Sequence, residues 1–157
     1  MGQGGKRLDP GINWVSLNAN GLRDEELLEA SAGLHKRQAY GAFVVSTNRL
    51  TSELDGVALS HGWIYAGTGC AKGSKRGAGF LLSPKAQADW ADAGRKVVFA
   101  SDRNVALRMK MSADGDETVL VIASYFPHSG YSDLAVEAHY EELDLILARR
   151  RSGPSPI

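Results

Sequence analysis

The stretch Trp14–Arg23, WVSLNANGLR, begins as a strand and ends as something else. Trp14, Val15 and Leu17 suit a strand with both faces covered. Two amides follow, Asn18 and Asn20, and then Gly21, a turn former. Asn and Gly are ordinary turn residues, and that reading suffices if the pattern stands alone. The other reading is that the strand end carries a polar side chain to a site.

The pattern recurs. AFVVS (42–46) reads as a second buried strand and closes in VSTNRLT. TVLVIASYF (118–126) reads as another and closes in ASYFP. Three polar strand ends, each after an apolar run, predict a cleft at one rim of a sheet sandwich.

Working outward, the first strand is expected over about 12–17. A helix follows from near Asp24, with Asp24 as its cap, Glu25 and Glu26 at its positive end, and His35, Lys36 and Arg37 at its negative end. Leu27, Leu28, Ser31 and Leu34 form its expected inward stripe, and Gly33 weakens it. GWIYAG (62–67) and GAGFLL (77–82) read as strands around a glycine-rich loop, 67–79. SPKAQADWADAG (83–94) has the marks of a short helix: Ser83 as cap, Pro84 at the first helical position, Gly94 as the stop. KVVFAS (96–101) is a strand. NVALRMKMS alternates, with Val105, Leu107, Met109 and Met111 on one face, and ADGD turns it into TVLVIASYF. A last helix is expected from about Ser132 to Arg149, with Val136, Tyr140, Leu143 and Leu147 on one face. The order of elements predicts an α+β domain over 12–149, between a flexible lead-in (1–11) and a disordered tail (150–157).

Composition agrees with one globular domain: 157 residues, 43% apolar and 23% charged. The formal net charge of +0 supplies no global field toward nucleic acid or anionic membrane. Cys70 is the only cysteine, so no internal disulfide forms and a reducing, intracellular compartment is expected, cytoplasmic or nuclear. No apolar run reaches transmembrane length.

Familiar motifs are excluded on spacing. GTGCAKGSKRGAG (67–79) matches neither the phosphate loop of nucleotide hydrolases nor the dinucleotide fingerprint, because Lys72 stands where the third glycine belongs. Lys72, Lys75 and Arg76 are read as solvated hairpin-loop cations, with a phosphate backbone as the alternative contact. His35, His61, His128 and His139 lack zinc-ligand spacing; His35 reads as a helix-end residue, and His128 and His139 as surface residues. No GxSxG occurs.

LNANGLR, VSTNRLT and the Tyr125-Phe126-Pro127 strand end, in that order, resemble the endonuclease/exonuclease/phosphatase superfamily. The intervening GAGFLLSPKAQADWADAG and SDRNVALRMKM look like its craniofacial development protein 2-like and retrotransposon-endonuclease branch. The resemblance covers about 12–147. It implies a four-layered α/β sandwich, of which this chain would supply the N-terminal half, and a magnesium-dependent phosphodiesterase. By resemblance Asn18 belongs to the metal and phosphate site, and Tyr125 contacts the scissile phosphate.

Against that pattern, the family's metal-binding Glu falls on Thr47, and neither the Gly-Asp-x-Asn nor the Ser-Asp-His motif occurs. Glu53, six residues beyond Thr47, would substitute only after a loop rearrangement. The expectation is a nuclease-like domain inactive by itself. The alternatives are a non-catalytic module binding nucleic acid or protein, or a mobile-element fragment without a role. Any binding of nucleic acid should be weak and salt-sensitive. Absent strands on one side would leave an open edge and favour self-association or a complementing chain.

Overall fold

The computed structural model describes residues 12–21, 23–74, 76–110, 117–126 and 132–149. In chain order the elements are β1 (Trp14–Asn18), α1 (Asp24–Lys36), β2 (Gly41–Thr47), β3 (Glu53–Ala58), a 3₁₀ turn (Ser60–Gly62), β4 (Ile64–Gly67), β5 (Gly77–Leu82), α2 (Pro84–Asp92), β6 (Val97–Ala100), β7 (Asn104–Met109), β8 (Val119–Ser124) and α3 (Asp133–Arg149). The fold is α+β. Lys75, Met111, the ADGD turn, Pro127, His128, the lead-in and the tail lie outside the described residues.

A five-stranded sheet has the order β1-β2-β5-β4-β3 and a three-stranded sheet the order β6-β7-β8. β1 and β2 run parallel, and the other pairings are antiparallel. A parallel pair needs a crossover, and α1 supplies it. The sheets pack face to face through Phe80, Leu82, Val105, Leu107 and Met109, with Trp90 of α2 wedged into the same core. The other face of the first sheet, through Val44, Tyr65 and Leu81, packs on Leu27 and Leu34 of α1. The α3 helix lies against β6 and β7. Among the described residues no helix is long and apolar enough to cross a membrane.

Several expectations change. Arg23, not Asp24, is the cap position of α1; its backbone N–H donates to Glu26 Oε1 at 2.7 Å, and Asp24 is the first helical residue. Leu28 is exposed, so the inward stripe is Leu27, Ser31 and Leu34. β3 had no strand signal because ELDGVA contains Asp55 and Gly56, residues depleted in strands. Among the described residues it is an edge strand, pairing with β4 across a bulge, with Gly56 at φ +101°. By contrast α2 starts and stops as expected, the Ser83 hydroxyl accepting from Ala86 N–H at 3.1 Å.

The last helix is rolled away from its expected face. Tyr140 and Leu147 are exposed, whereas His139 and Ile146 are fully buried. Two polar contacts set the roll. His139 Nε2 meets Ser124 Oγ at 3.1 Å, and Glu142 Oε1 accepts from Asn104 Nδ2 at 2.7 Å. Seating those groups on the sheet turns the Val136–Leu147 stripe sideways. His139 is thus a buried residue, correcting its assignment to the surface.

Candidate functional site

Because β1 and β2 are parallel, their polar ends reach the same rim. Asn18 lies opposite Val45, Ala19 N–H donates to Val45 O at 2.9 Å, and Gly21 N–H donates to Ser46 O at 2.8 Å. The turn between β1 and α1 needs left-handed backbone at Asn20 (φ 47°) and Gly21 (φ 93°), which Asn tolerates and Gly prefers. The two amides of the opening stretch therefore differ in role: Asn20 makes the turn, and Asn18 faces a cleft.

That cleft, about 390 Å³, is lined by Ser16, Leu17, Asn18, Phe43 and Val45 of the first sheet and by Ile122, Ser124 and Phe126 of the β8 segment. The rim expected from three strand ends thus brings together Asn18 and the end of β8. Tyr125 lies between two wall residues, Ser124 and Phe126, and its backbone N–H donates to Arg103 O at 2.8 Å.

Thr47 goes elsewhere. Ser46 adopts φ 65° and the β2–β5 register slips between Val45 and Thr47, so strand alternation shifts by one. Thr47 lies opposite Gly77 and is fully buried; a Cβ on Gly77 would fall 2.1 Å from Thr47 Oγ1. Its neighbour is Tyr65, on the α1 side of the sheet. Burial pushes the Tyr65 phenol up to about 12, with the Thr47 hydroxyl and the Arg49 guanidinium pulling the other way. The Thr47 and Tyr65 hydroxyls find no well-formed hydrogen-bond partner among the described residues.

The nearest carboxylate in sequence is also committed. Glu53 accepts from Arg49 Nε and, at 3.0 Å, from Arg49 Nη2. Arg49 reaches Asp24 as well, at 3.0 Å. The bond to Glu53, against the cost of burial, raises the Arg49 pKa. A magnesium ion wants several hard oxygen donors with negative charge. Asn18 offers one neutral oxygen, Thr47 faces the core, and Glu53 is neutralised, so these residues do not fit the ion.

The loop cations are dispersed. Lys72 is exposed in a turn closed by Ser74 N–H to Ala71 O at 2.9 Å. Arg76 pairs with Asp102 at 3.2 Å, linking the two sheets. Cys70 is buried, its thiol near Thr47 O at 3.4 Å.

Sequence reasoning missed the polar cluster beneath α3. Ser101 Oγ donates to Glu142 Oε1 at 2.7 Å, and Arg103 Nη2 donates to Glu142 Oε2 at 3.4 Å. Burial alone would raise the Glu142 pKa, but the bonds from Ser101 and Asn104 and the Arg103 charge outweigh it and hold it below the usual carboxylate range. Burial, then the Arg103 charge, lowers the His139 pKa against the pull of Glu142. Ser124 and His139 have the spacing of a nucleophile and base. Yet Arg103 opposes the imidazolium such a mechanism forms, and His139 Nδ1 has no hydrogen-bond partner among the described residues to steady it. The pair seats the helix. No periodicity announces it, since Ser124 and His139 come from separate elements.

An acid-sensitivity test follows. The folded pKa of His139 is depressed, so below about pH 6.5 the unfolded chain takes up a proton that the folded chain resists. Its stabilising contribution is present above that pH and falls below it, by at most about 1.4 kcal/mol per pH unit. Urea unfolding at pH 5.5, 6.5 and 7.5 should show this fall, and His139→Gln should remove part of it. Equal pH slopes for the two proteins would sink the assignment.

No family model, no curated protein and no solved structure matches this chain.

Proposed function

We propose that the chain is the N-terminal portion of a nuclease-like domain of the endonuclease/exonuclease/phosphatase type that does not cleave phosphodiesters by itself. The order helix, sheet, sheet, helix, with α1 and α3 outermost, supports the four-layered reading. Asn18 at the cleft supports the match of the first strand. The observation that carries the loss of catalysis is the slip at Ser46, which turns Thr47 into the core. An intracellular location goes with this reading.

The cleft favours a second role. Among the described residues none that lines it is charged, and Phe126 is 49% exposed. A surface of that chemistry suits a protein segment better than a phosphate backbone, which calls for several free cations. The reading is therefore a protein-binding module on a nuclease-like scaffold, with nucleic acid as the weaker alternative.

The expected result of incubating the chain with DNA, RNA or bis-p-nitrophenyl phosphate in magnesium or manganese is no turnover. Metal-dependent cleavage lost in both Asn18→Ala and Tyr125→Phe would overturn the proposal. Thr47→Glu should not create activity; it should destabilise the fold, because a longer charged side chain is forced against Gly77 and Tyr65 in a sealed space.

A further inference from the structure

We propose that a depression at the rim of the first sheet opposite the cleft binds the phosphate group of a small organic molecule. Its position follows from the register. Asn18, Val45 and Ala78 pair at the cleft end of β1, β2 and β5, whereas Trp14, Gly41 and Leu82 pair at the other end. There the last turn of α1 and the start of α2 border a cavity of about 490 Å³. Small-molecule sites typically have about 300–1,000 Å³.

The walls are fixed in advance. Tyr40 and Trp63, which line the depression, are almost fully buried. The Tyr40 hydroxyl donates to Asp89 Oδ2 at 2.7 Å, and Trp63 Nε1–H donates to His35 Nδ1 at 3.4 Å. With Nδ1 accepting, a neutral His35 carries its proton on Nε2, which is then a donor.

The charge at this rim is positive. His35, Lys36 and Lys85 line the depression, and among the described residues no acidic side chain does. Lys36 is exposed and makes no ion pair among the described residues. Lys85 Nζ lies 3.3 Å from both oxygens of the buried Asp89. That carboxylate holds the half-exposed ammonium in place and cancels part of its charge, so Lys36 supplies the uncompensated charge. The carbonyls at the end of α1, which would repel an anion, are occupied. Gly33, Leu34 and His35 O accept from Arg37, Ala39 and Gln38 N–H at 3.0–3.1 Å.

The kind of donor selects phosphate. Two ammonium groups and an imidazole are separate point donors on three side chains. A phosphate group presents three oxygens in different directions and meets such donors one by one. A carboxylate has two oxygens in one plane and suits the fork of an Arg, and among the described residues no Arg lines the depression. The cavity is larger than a phosphate ion, which leaves room for an organic part beside it. The inference does not rest on the nuclease-like reading, and its test does not use activity.

Phenyl phosphate is the probe, titrated at physiological salt and followed by nitrogen–proton correlation spectra. It should shift the amides of 35–40, Trp63 and Lys85 with a Kd of about 1 mM or tighter. Inorganic phosphate should bind at the same amides more weakly, and benzoate at least tenfold more weakly. Lys36→Ala should weaken phenyl phosphate at least tenfold, whereas Lys72→Ala, the same charge change in the hairpin loop, should not. Should Lys36→Ala disturb the fold, the comparison of phenyl phosphate with benzoate on the unmodified chain decides. Benzoate binding as tightly as phenyl phosphate overturns the assignment to phosphate, and inorganic phosphate binding as tightly overturns the organic part. No shift at about 10 mM, equal losses in the two Lys variants, or shifts spread over all exposed lysines, the mark of an adventitious ion only, overturn the site.

Discussion

Trp90→Ala is expected to destabilise the protein by about 3–5 kcal/mol, the largest single effect in the core. The indole is 1% exposed and shares the inter-sheet core with Phe80, Leu107 and Met109. Its Nε1–H donates to Lys96 O at 3.1 Å, fixing the turn that leads from α2 into β6. Arg95 lies over the ring at 4.5 Å to the centroid. The Ser83 cap, worth about 1 kcal/mol, stays intact but does not offset the cavity. Single domains are stable by only about 5–15 kcal/mol, so the loss is a large share of the total. Thermal unfolding followed by circular dichroism should show a drop on the order of 10 °C. Trp90→Phe keeps most of the volume and loses one hydrogen bond, and should cost roughly 1–3 kcal/mol. A Trp90→Ala variant melting within about 2 °C of the parent would show that α2 is not anchored by this residue.

Glu142→Ala should cost nearly as much for an electrostatic reason. The carboxylate accepts from Ser101, Asn104 and Arg103, and the Arg103 side chain is only 9% exposed. Removing the acceptor leaves the buried guanidinium with Asp102 alone, 3.9 Å from its Nε, and leaves the fully buried Asn104 amide without its acceptor, a loss of about 2–4 kcal/mol. Glu142→Gln retains one acceptor and should cost less. The loss should concentrate in α3, whose seat on the second sheet otherwise rests on His139, Ile146 and the bonds that join Arg149 to Val98 and Arg108. Hydrogen exchange should therefore rise in 133–149 before it rises in β5. The sign with pH is fixed by the depressed carboxyl. Its contribution is full above the unfolded value near 4.5 and is lost as pH falls through the lower folded value. The Gln variant should lack that component. Uniform destabilisation, with α3 no more open than the core, would count against the clasp.

Elements whose local chemistry agrees with their place were legible. Ser83, Pro84 and Gly94 bracket α2 correctly, because a cap bond, a fixed φ and a left-handed stop act within a few residues. β7 alternates as read, and Val105, Leu107 and Met109 are buried together. The strand end offers two amides, Asn18 and Asn20, and it is the resemblance that points to Asn18, which lines the cleft.

Thr47 shows where legibility ended. A strand read by alternation sends Phe43, Val45 and Thr47 to one face. One left-handed residue, Ser46, moves Thr47 to the other, and no residue type in VSTNR announces it. The stripe of α3 failed for a related reason. Helical spacing finds an apolar arc but not the roll of the helix, and the roll is set by bonds from His139 and Glu142 to residues of β7, β8 and the loop before them. The sequence by itself determined the class, most of the elements and the polar end of the first strand, because these follow from interactions within a few positions. Tertiary structure alone decided which way Thr47 points and which face of α3 is buried. Each of these depends on contacts between segments distant in the chain, and a one-residue shift or a partial rotation costs little locally while reversing what the site presents.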